Sequence, residues 1–137
     1  MSRFPDRWLR RALPSPRWLA AAALLLLVPA LALAAGNGKL QIHHIDAGQA
    51  DAILIISPLG QTALVDDGTY TDCSGVKTYL QGLGITGLDY HFASHYHADH
   101  IGCIDDLAAV GITVTTAGYD RGSSYSSATY TTYVTTL

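Results

Sequence analysis

His95-Tyr96-His97-Ala98-Asp99-His100 decides the reading of this chain. Three of its six histidines fall within these six residues, with an aspartate between the last two. His95 and His97 alternate with Tyr96, so at the end of an extended strand they point to the same side. Asp99 and His100 follow as the chain turns toward the next helix. Imidazole and carboxylate donors together suit zinc, and also iron or manganese. Four donors this close in sequence cannot all reach one tetrahedral ion comfortably. They suit two neighbouring ions, with His95 and His97 on one and Asp99 with His100 on the other. A histidine pair alone would read as ordinary surface or core residues. The full H-x-H-x-D-H string, between an apolar strand and a helix, reads as a metal site.

Working outward, Leu88 to Ser94 (LDYHFAS) is a predicted strand that leads into the string. Gly102 to Val110 follows it as a helix, with Ile104, Leu107 and Ala108 on one side and Gly111 as its stop. Ile112 to Thr115 is a further strand, and Asp120 to Ser127 is a glycine- and serine-rich loop. Ala128 to Leu137 stays open: Tyr130, Tyr133, Val134 and Leu137 fit a helix stripe, while its threonines favour strand. Upstream, Leu40 to Ile45 is a strand that ends at the turn Asp46-Ala47-Gly48-Gln49. Ala52 to Ser57 (AILIIS) is a continuous apolar run of the kind buried on both faces. Pro58-Leu59-Gly60-Gln61 is a tight connection to a third strand, Thr62 to Val65. Short links between the three predict an antiparallel meander. Asp72 or Ser74 caps a helix through Val76, Tyr79, Leu80 and Leu83, which Gly82 weakens and Gly84 ends. The class is α+β, with no internal repeat and no linker.

The first 34 residues stand apart. Arg3, Arg7, Arg10, Arg11 and Arg17 open the chain, an apolar run covers Trp18 to Val28, and Ala32-Leu33-Ala34 ends it with small residues. Basic, apolar and small-residue segments in that order make a secretory signal peptide over residues 1–34. The competing reading is a membrane anchor, but the 18 residues from Trp18 to Ala35 include Pro29, at the lower limit of a span of roughly 20. The expected location is therefore periplasmic or extracellular, with membrane contact only through an uncleaved leader. The Arg10-Arg11 pair leaves the export route open. Residues 35–137 form one domain, holding Lys39, Lys77 and Arg121 against ten aspartates, a net charge of −7. Such a surface repels a nucleic-acid backbone, whose binding rests on Lys and Arg neutralising phosphates. Nucleic acid is then expected only as a substrate met by bound metal. Cys73 and Cys103, an even count in an oxidising compartment, predict one disulfide.

The metal string resembles the signature of the metallo-β-lactamase superfamily at every defined position, and Ile101-Gly102 and the following helix match its context. His44-Ile45-Asp46-Ala47-Gly48-Gln49-Ala50-Asp51-Ala52-Ile53-Leu54-Ile55 is similar to the opening of the hydrolase domain in ComEC-type competence proteins. Ala47 and Ala50 depart from the usual D-V-G-Q-G-D-A. Leu64-Val65-Asp66-Asp67-Gly68 resembles that family's L-I-D-x-G strand end, which implies that Asp66 supports the metal loop by hydrogen bonding and is not a ligand. The resemblance spans roughly Leu40 to Leu137. It implies the first half of an αββα sandwich, a centre of two divalent ions, zinc with manganese or iron as alternatives, and hydrolysis by a metal-bridging hydroxide. His95, His97, Asp99 and His100 would be the ligands, with Asp99 also orienting the nucleophile.

The implied substrate is a phosphodiester, with extracellular DNA among the candidates. Lactams, lactones and thioesters are alternatives within the same superfamily, since fold does not set substrate. No histidine follows His100, whereas the resemblance requires a third histidine for the first ion, a bridging aspartate and another histidine for the second. Asp120 reads as a loop start rather than that bridge. Those ligands are therefore expected beyond Leu137, and the 137 residues alone are expected to bind metal weakly, to be poorly soluble and to lack turnover. A non-catalytic exported metal- or partner-binding module is the reading from another class. Among weaker candidates, His43 and His44 read as structural, one facing in and one out. Asp105-Asp106 read as a solvated helix face, and Gln49 and Asp51 as either site rim or turn residues. Cys103 reads as Cys73's partner rather than a ligand.

Overall fold

The structure, a computed structural model, describes residues 36–137, so the leader expected over residues 1–34 lies outside the described residues. Five strands and three helices follow in the order β1 (Gln41–His44), β2 (Ala52–Ile56), β3 (Thr62–Asp67), α1 (Cys73–Gly82), β4 (Gly87–Phe92), α2 (Ile104–Ala109), β5 (Thr113–Tyr119) and α3 (Ala128–Thr136). The strands form one mixed sheet in chain order. β1, β2 and β3 pair antiparallel, as the short links between them require. β3 with β4, and β4 with β5, pair parallel, and each of these connections carries a helix. The chain is thus α+β, with three helices among the described residues.

One sheet face is the core. Leu54 pairs with Leu64, and Leu64 with His91, so all three share a face, and all three are fully buried. Val76 and Leu80 of α1 and Leu107 of α2 join Leu54, Leu64, Leu88 and Ile112 in one cluster. On the other face run the cross-strand rows Ile42–Ile55–Ala63–Tyr90 and Ile53–Val65–Phe92–Tyr119. Ile53 and Ile55 are only half-buried there, and Ile42, Phe92 and Tyr119 are exposed. The run Ala52–Ser57 is therefore buried on one face and not on both, because α1 and α2 cover one side of the sheet.

Element ends differ from expectation for local reasons. The β4 strand stops at Phe92 rather than Ser94, and β5 runs to Tyr119 instead of Thr115 because Phe92 pairs with Tyr119. Gly118 is tolerated inside β5, where Leu137 packs against its backbone. The second helix is shorter than expected, starting at Ile104 behind Cys103. Asp72 sits at the N-cap of α1, although its side chain caps nothing. The ambiguous tail is helical. Ser127 accepts a hydrogen bond from the Tyr130 amide at the N-cap, while the hydroxyls of Thr131, Thr135 and Thr136 bond back to carbonyls one turn earlier. This back-bonding satisfies threonine within a helix, and Tyr133 is buried by it.

Several polar links tie the helices down. Cys73 at the start of α1 and Cys103 before α2 form a disulfide, as expected. Asp106 is not simply solvated: Lys77 Nζ lies 3.0 Å from its carboxylate and ties α1 to α2, a surface pair worth about 0–1 kcal/mol. His43 is structural, its Nδ1 2.8 Å from the Tyr79 hydroxyl, and His44 is exposed.

Candidate metal centre

Strand alternation breaks at the end of β3, and that break builds the site. Asp66 and Asp67 are both buried although adjacent. Asp66 takes φ of 54°, a left-handed conformation that costs a non-glycine residue energy. The backbone twist turns neighbouring side chains inward together instead of one to each face. Asp66 faces the histidine string. Asp67, 0% exposed, sends Oδ1 to the Cys103 amide at 2.6 Å and lies with Oδ2 3.1 Å from Nε2 of the equally buried His91. Neither of those two buried atoms has another hydrogen-bond partner among the described residues. Burial pushes the Asp67 carboxyl above its ordinary range, against the opposing effect of His91.

The string itself is a turn and not an extended strand end, since β4 finishes three residues before His95. Its backbone is clamped from both sides. The amides of His100 and Ile101 bond to the His97 carbonyl, at 3.0 and 3.2 Å. The amide of Asp51, from the β1–β2 loop, bonds to the Asp99 carbonyl at 3.2 Å, and that of Asp67 to the His100 carbonyl at 2.9 Å. The Gly102 amide reaches Gly68 at 2.9 Å. A Cβ on Gly102 would strike the Ala98 carbonyl and lie 2.7 Å from the Tyr70 amide. Gly102→Ala should therefore destabilise the protein by about 1–3 kcal/mol, in the range for overpacking, and shift the string. Thermal denaturation with and without zinc checks this; an unchanged melting temperature would contradict it.

Asp66 organises the donors. Its Oδ1 accepts from the Ser94 amide at 2.8 Å and its Oδ2 from the Ser94 hydroxyl at 2.7 Å. The same Oδ2 lies 2.8 Å from His100 Nδ1. A carboxylate oxygen only accepts, so His100 carries its proton on Nδ1 and presents Nε2 bare. The Ser94 hydroxyl proton is committed to Asp66, so its oxygen accepts from His95 Nδ1 at 3.1 Å. His95 then also presents Nε2. One aspartate thus sets the tautomer of two histidines, directly and through Ser94, an arrangement that metal-ligating histidines use.

Those bare nitrogens have neighbours at coordination spacing. His95 Nε2 and His97 Nδ1 are 3.2 Å apart, close to the roughly 3.3 Å that two nitrogens span on a tetrahedral zinc with bonds of about 2.0–2.1 Å. Asp99 Oδ2 lies 3.7 Å from His100 Nε2. The rings of His95 and His100 are 3.9 Å apart at their centres, so the two pairs adjoin. His95, Asp99 and His100 converge as one group that could hold an ion, and His97 stands outside that group beside His95. The donor set, imidazole nitrogens with a carboxylate, is of the kind that holds a divalent cation, and neither Asp66 nor Asp99 is ion-paired with Lys or Arg among the described residues.

Four further residues border these donors. Asp51, weighed from sequence as rim or turn, is a rim residue, 66% exposed at its side chain with Oδ2 3.7 Å from His100 Nδ1. Asp51, Asp66 and His100 gather around His100 Nδ1, the nitrogen whose proton Asp66 accepts, so this second group offers a cation two carboxylates and no bare imidazole nitrogen. Gln49 sits on the exposed turn before it. Ser94 and the buried Asp67 were not singled out from sequence. The available signals were a hydroxyl directly preceding the string and two consecutive aspartates closing an apolar strand. No helix among the described residues is long and apolar enough to cross a membrane. No protein-family model matches the chain, and no curated protein matches it.

Proposed function

We propose that this chain is an exported, metal-dependent hydrolase of phosphodiesters that holds two divalent ions, zinc or alternatively manganese or iron. The observation carrying the proposal is the Asp66–Ser94 network, which orients His95 and His100 so that Nε2 of each lies beside a second donor, 3.2 Å from His97 Nδ1 and 3.7 Å from Asp99 Oδ2. The fold proposed is one half of a metallo-β-lactamase αββα sandwich. The apolar rows on the sheet face opposite α1 and α2 support it, being the surface a second sheet would cover. The disulfide supports an oxidising, non-cytoplasmic setting. The resemblance of residues 44–55 and 64–68 to ComEC-type hydrolases favours a phosphodiester over lactam, lactone or thioester.

Two divalent cations bound here would supply an acidified water and neutralise charge on a phosphoryl group. The protein's own residues do the positioning. His95 and His97 hold one side and His100 with Asp99 the other, while Asp66 and Ser94 fix the ring orientations. Asp99, only partly buried, would hold an ion beside His100 and orient the attacking water. A second reading has one observation behind it: His95, Asp99 and His100 converge as two imidazoles and a carboxylate, the ligand set of a single-iron site.

Metal stoichiometry and turnover separate these readings. The protein should take up two zinc or manganese ions per chain in equilibrium dialysis, weakly where the string supplies only two donors to each. Cleavage of bis(4-nitrophenyl) phosphate should require the metal. It is assayed on the protein with each metal in turn. One ion per chain supports the single-ion reading. Two bound ions with no phosphodiester cleavage would sink the substrate assignment.

A further inference from the structure

We infer that Tyr125 is the specificity-determining residue of this metal centre and that its ring receives the nucleobase of a nucleotide-type phosphodiester. This rests on the hydrolase reading above and adds to it the chemical class of the group flanking the scissile phosphate. The ring of Tyr125 lies 5.9 Å from that of His97, at 59°. It is 38% exposed, so one side meets the metal string and the rest faces solvent.

The loop that carries Tyr125 is held rather than loose. Asp120 Oδ1 accepts from the Gly122 amide at 2.7 Å, and the turn continues through positive φ at Gly122 and Ser123. The buried Tyr96, which lies inside the metal string, donates its hydroxyl to the Gly122 carbonyl at 3.3 Å. Tyr130 of α3 reaches the Ser123 carbonyl, and Ser127 caps α3. The rings of Tyr96 and Tyr125 are 6.1 Å apart, and those of Tyr96 and Tyr130 4.6 Å. Tyr125 is therefore positioned from the string on one side and from α3 on the other, so little ordering remains to be done when a ligand arrives.

Beyond the ring, Ser124, Ser126, Ser127 and Thr131, with Tyr125 and Ala128, line an open hollow of about 500 Å³. Its hydroxyls donate and accept but carry no charge, which suits a neutral polar group and not a second phosphate. Arg121, the one guanidinium among the described residues, lies in the same loop, 4.8 Å over the Tyr96 ring. A phosphate at the metal string, a flat ring against Tyr125 and hydroxyl partners beyond describe a nucleotide. The acidic surface disfavours a long polyanion, so the fit is to a short one.

The test is calorimetric titration of the manganese-loaded chain with inorganic phosphate, ribose 5-phosphate and thymidine 5′-monophosphate. Thymidine 5′-monophosphate should bind about tenfold or more tighter than ribose 5-phosphate, the scale of one base–aromatic stack. Tyr125→Ala should abolish that advantage and Tyr125→Phe should keep it, each affinity taken relative to that of inorganic phosphate for the same protein. An advantage that survives Tyr125→Ala, or equal binding of the sugar phosphate and the nucleotide by the unaltered protein, overturns the inference and leaves the hydrolase reading standing. Absence of manganese-dependent phosphate binding overturns the hydrolase reading and this inference with it.

Discussion

His97→Ala should cost the protein one of its two zinc or manganese ions in equilibrium dialysis. The first ion would keep only His95 from the string, and the 3.2 Å donor pair that fits a tetrahedral cation would be gone. His97 is exposed and bonds through its carbonyl, not its ring, to the turn that follows, so the fold should survive the change. Asp66→Ala should weaken metal binding by about 10- to 100-fold, the usual effect of removing a group that orients ligands. Asp66→Asn is the sharper comparison. It keeps the side chain's shape and one acceptor, but its amide nitrogen would face either the Ser94 amide or the pair Ser94 Oγ and His100 Nδ1. The second placement favours the wrong histidine tautomer. Asparagine should therefore fail to rescue metal affinity even where it rescues melting temperature. Cobalt titration followed by visible absorption, beside thermal denaturation, reads both effects. Wild-type affinity in Asp66→Asn would remove the tautomer argument.

The Cys73→Ser/Cys103→Ser double variant should lose about 3–4 kcal/mol of stability, on the chain-entropy account of a loop closed over a separation of 30 residues. For a domain of this size that is a fall in melting temperature on the order of 15 °C or more. The bridge joins the first residue of α1 to the residue preceding α2, and Asp67 holds the Cys103 amide from beneath. Loosening Cys103 therefore frees the end of the metal string as well as the helix. Metal affinity should fall together with stability. Calorimetric melting of the variant beside unreduced protein decides it, and a shift of less than about 3 °C would mean that Asp67 and the core hold this junction without the disulfide.

Much of this protein was legible in its sequence because the signals were local. Glycine, proline and aspartate at the ends of apolar runs marked the β1–β2–β3 meander, and short links left antiparallel pairing as the simplest course. The pairing of Cys73 with Cys103 followed from an even count. The clustering of His95, Asp99 and His100 was legible from their spacing, and the hydrogen-bonding place of Asp66 beside His100 was an expectation of the resemblance that the geometry repeats. Other features needed distant partners. The β5 strand runs on to Tyr119 because β4 offers it Phe92, which no local propensity in Thr115-Thr116-Ala117-Gly118 could show. The tail became a helix because Ser127 caps it and Tyr133 is buried near His91, outweighing the strand preference of its threonines. Ala52–Ser57 carried no sign of which face would be covered, since that depends on where α1 and α2 fold back. Local sequence gives no hint of Asp67 beneath Cys103, Ser94 between Asp66 and His95, or Tyr125 beside His97. These contacts span separations of 28 to 36 residues, apart from the step between Ser94 and His95, and only the closed chain brings them within reach. Residue spacing determined which side chains were available; the left-handed turn at Asp66 decided which of them its carboxylate meets, Ser94 and His100.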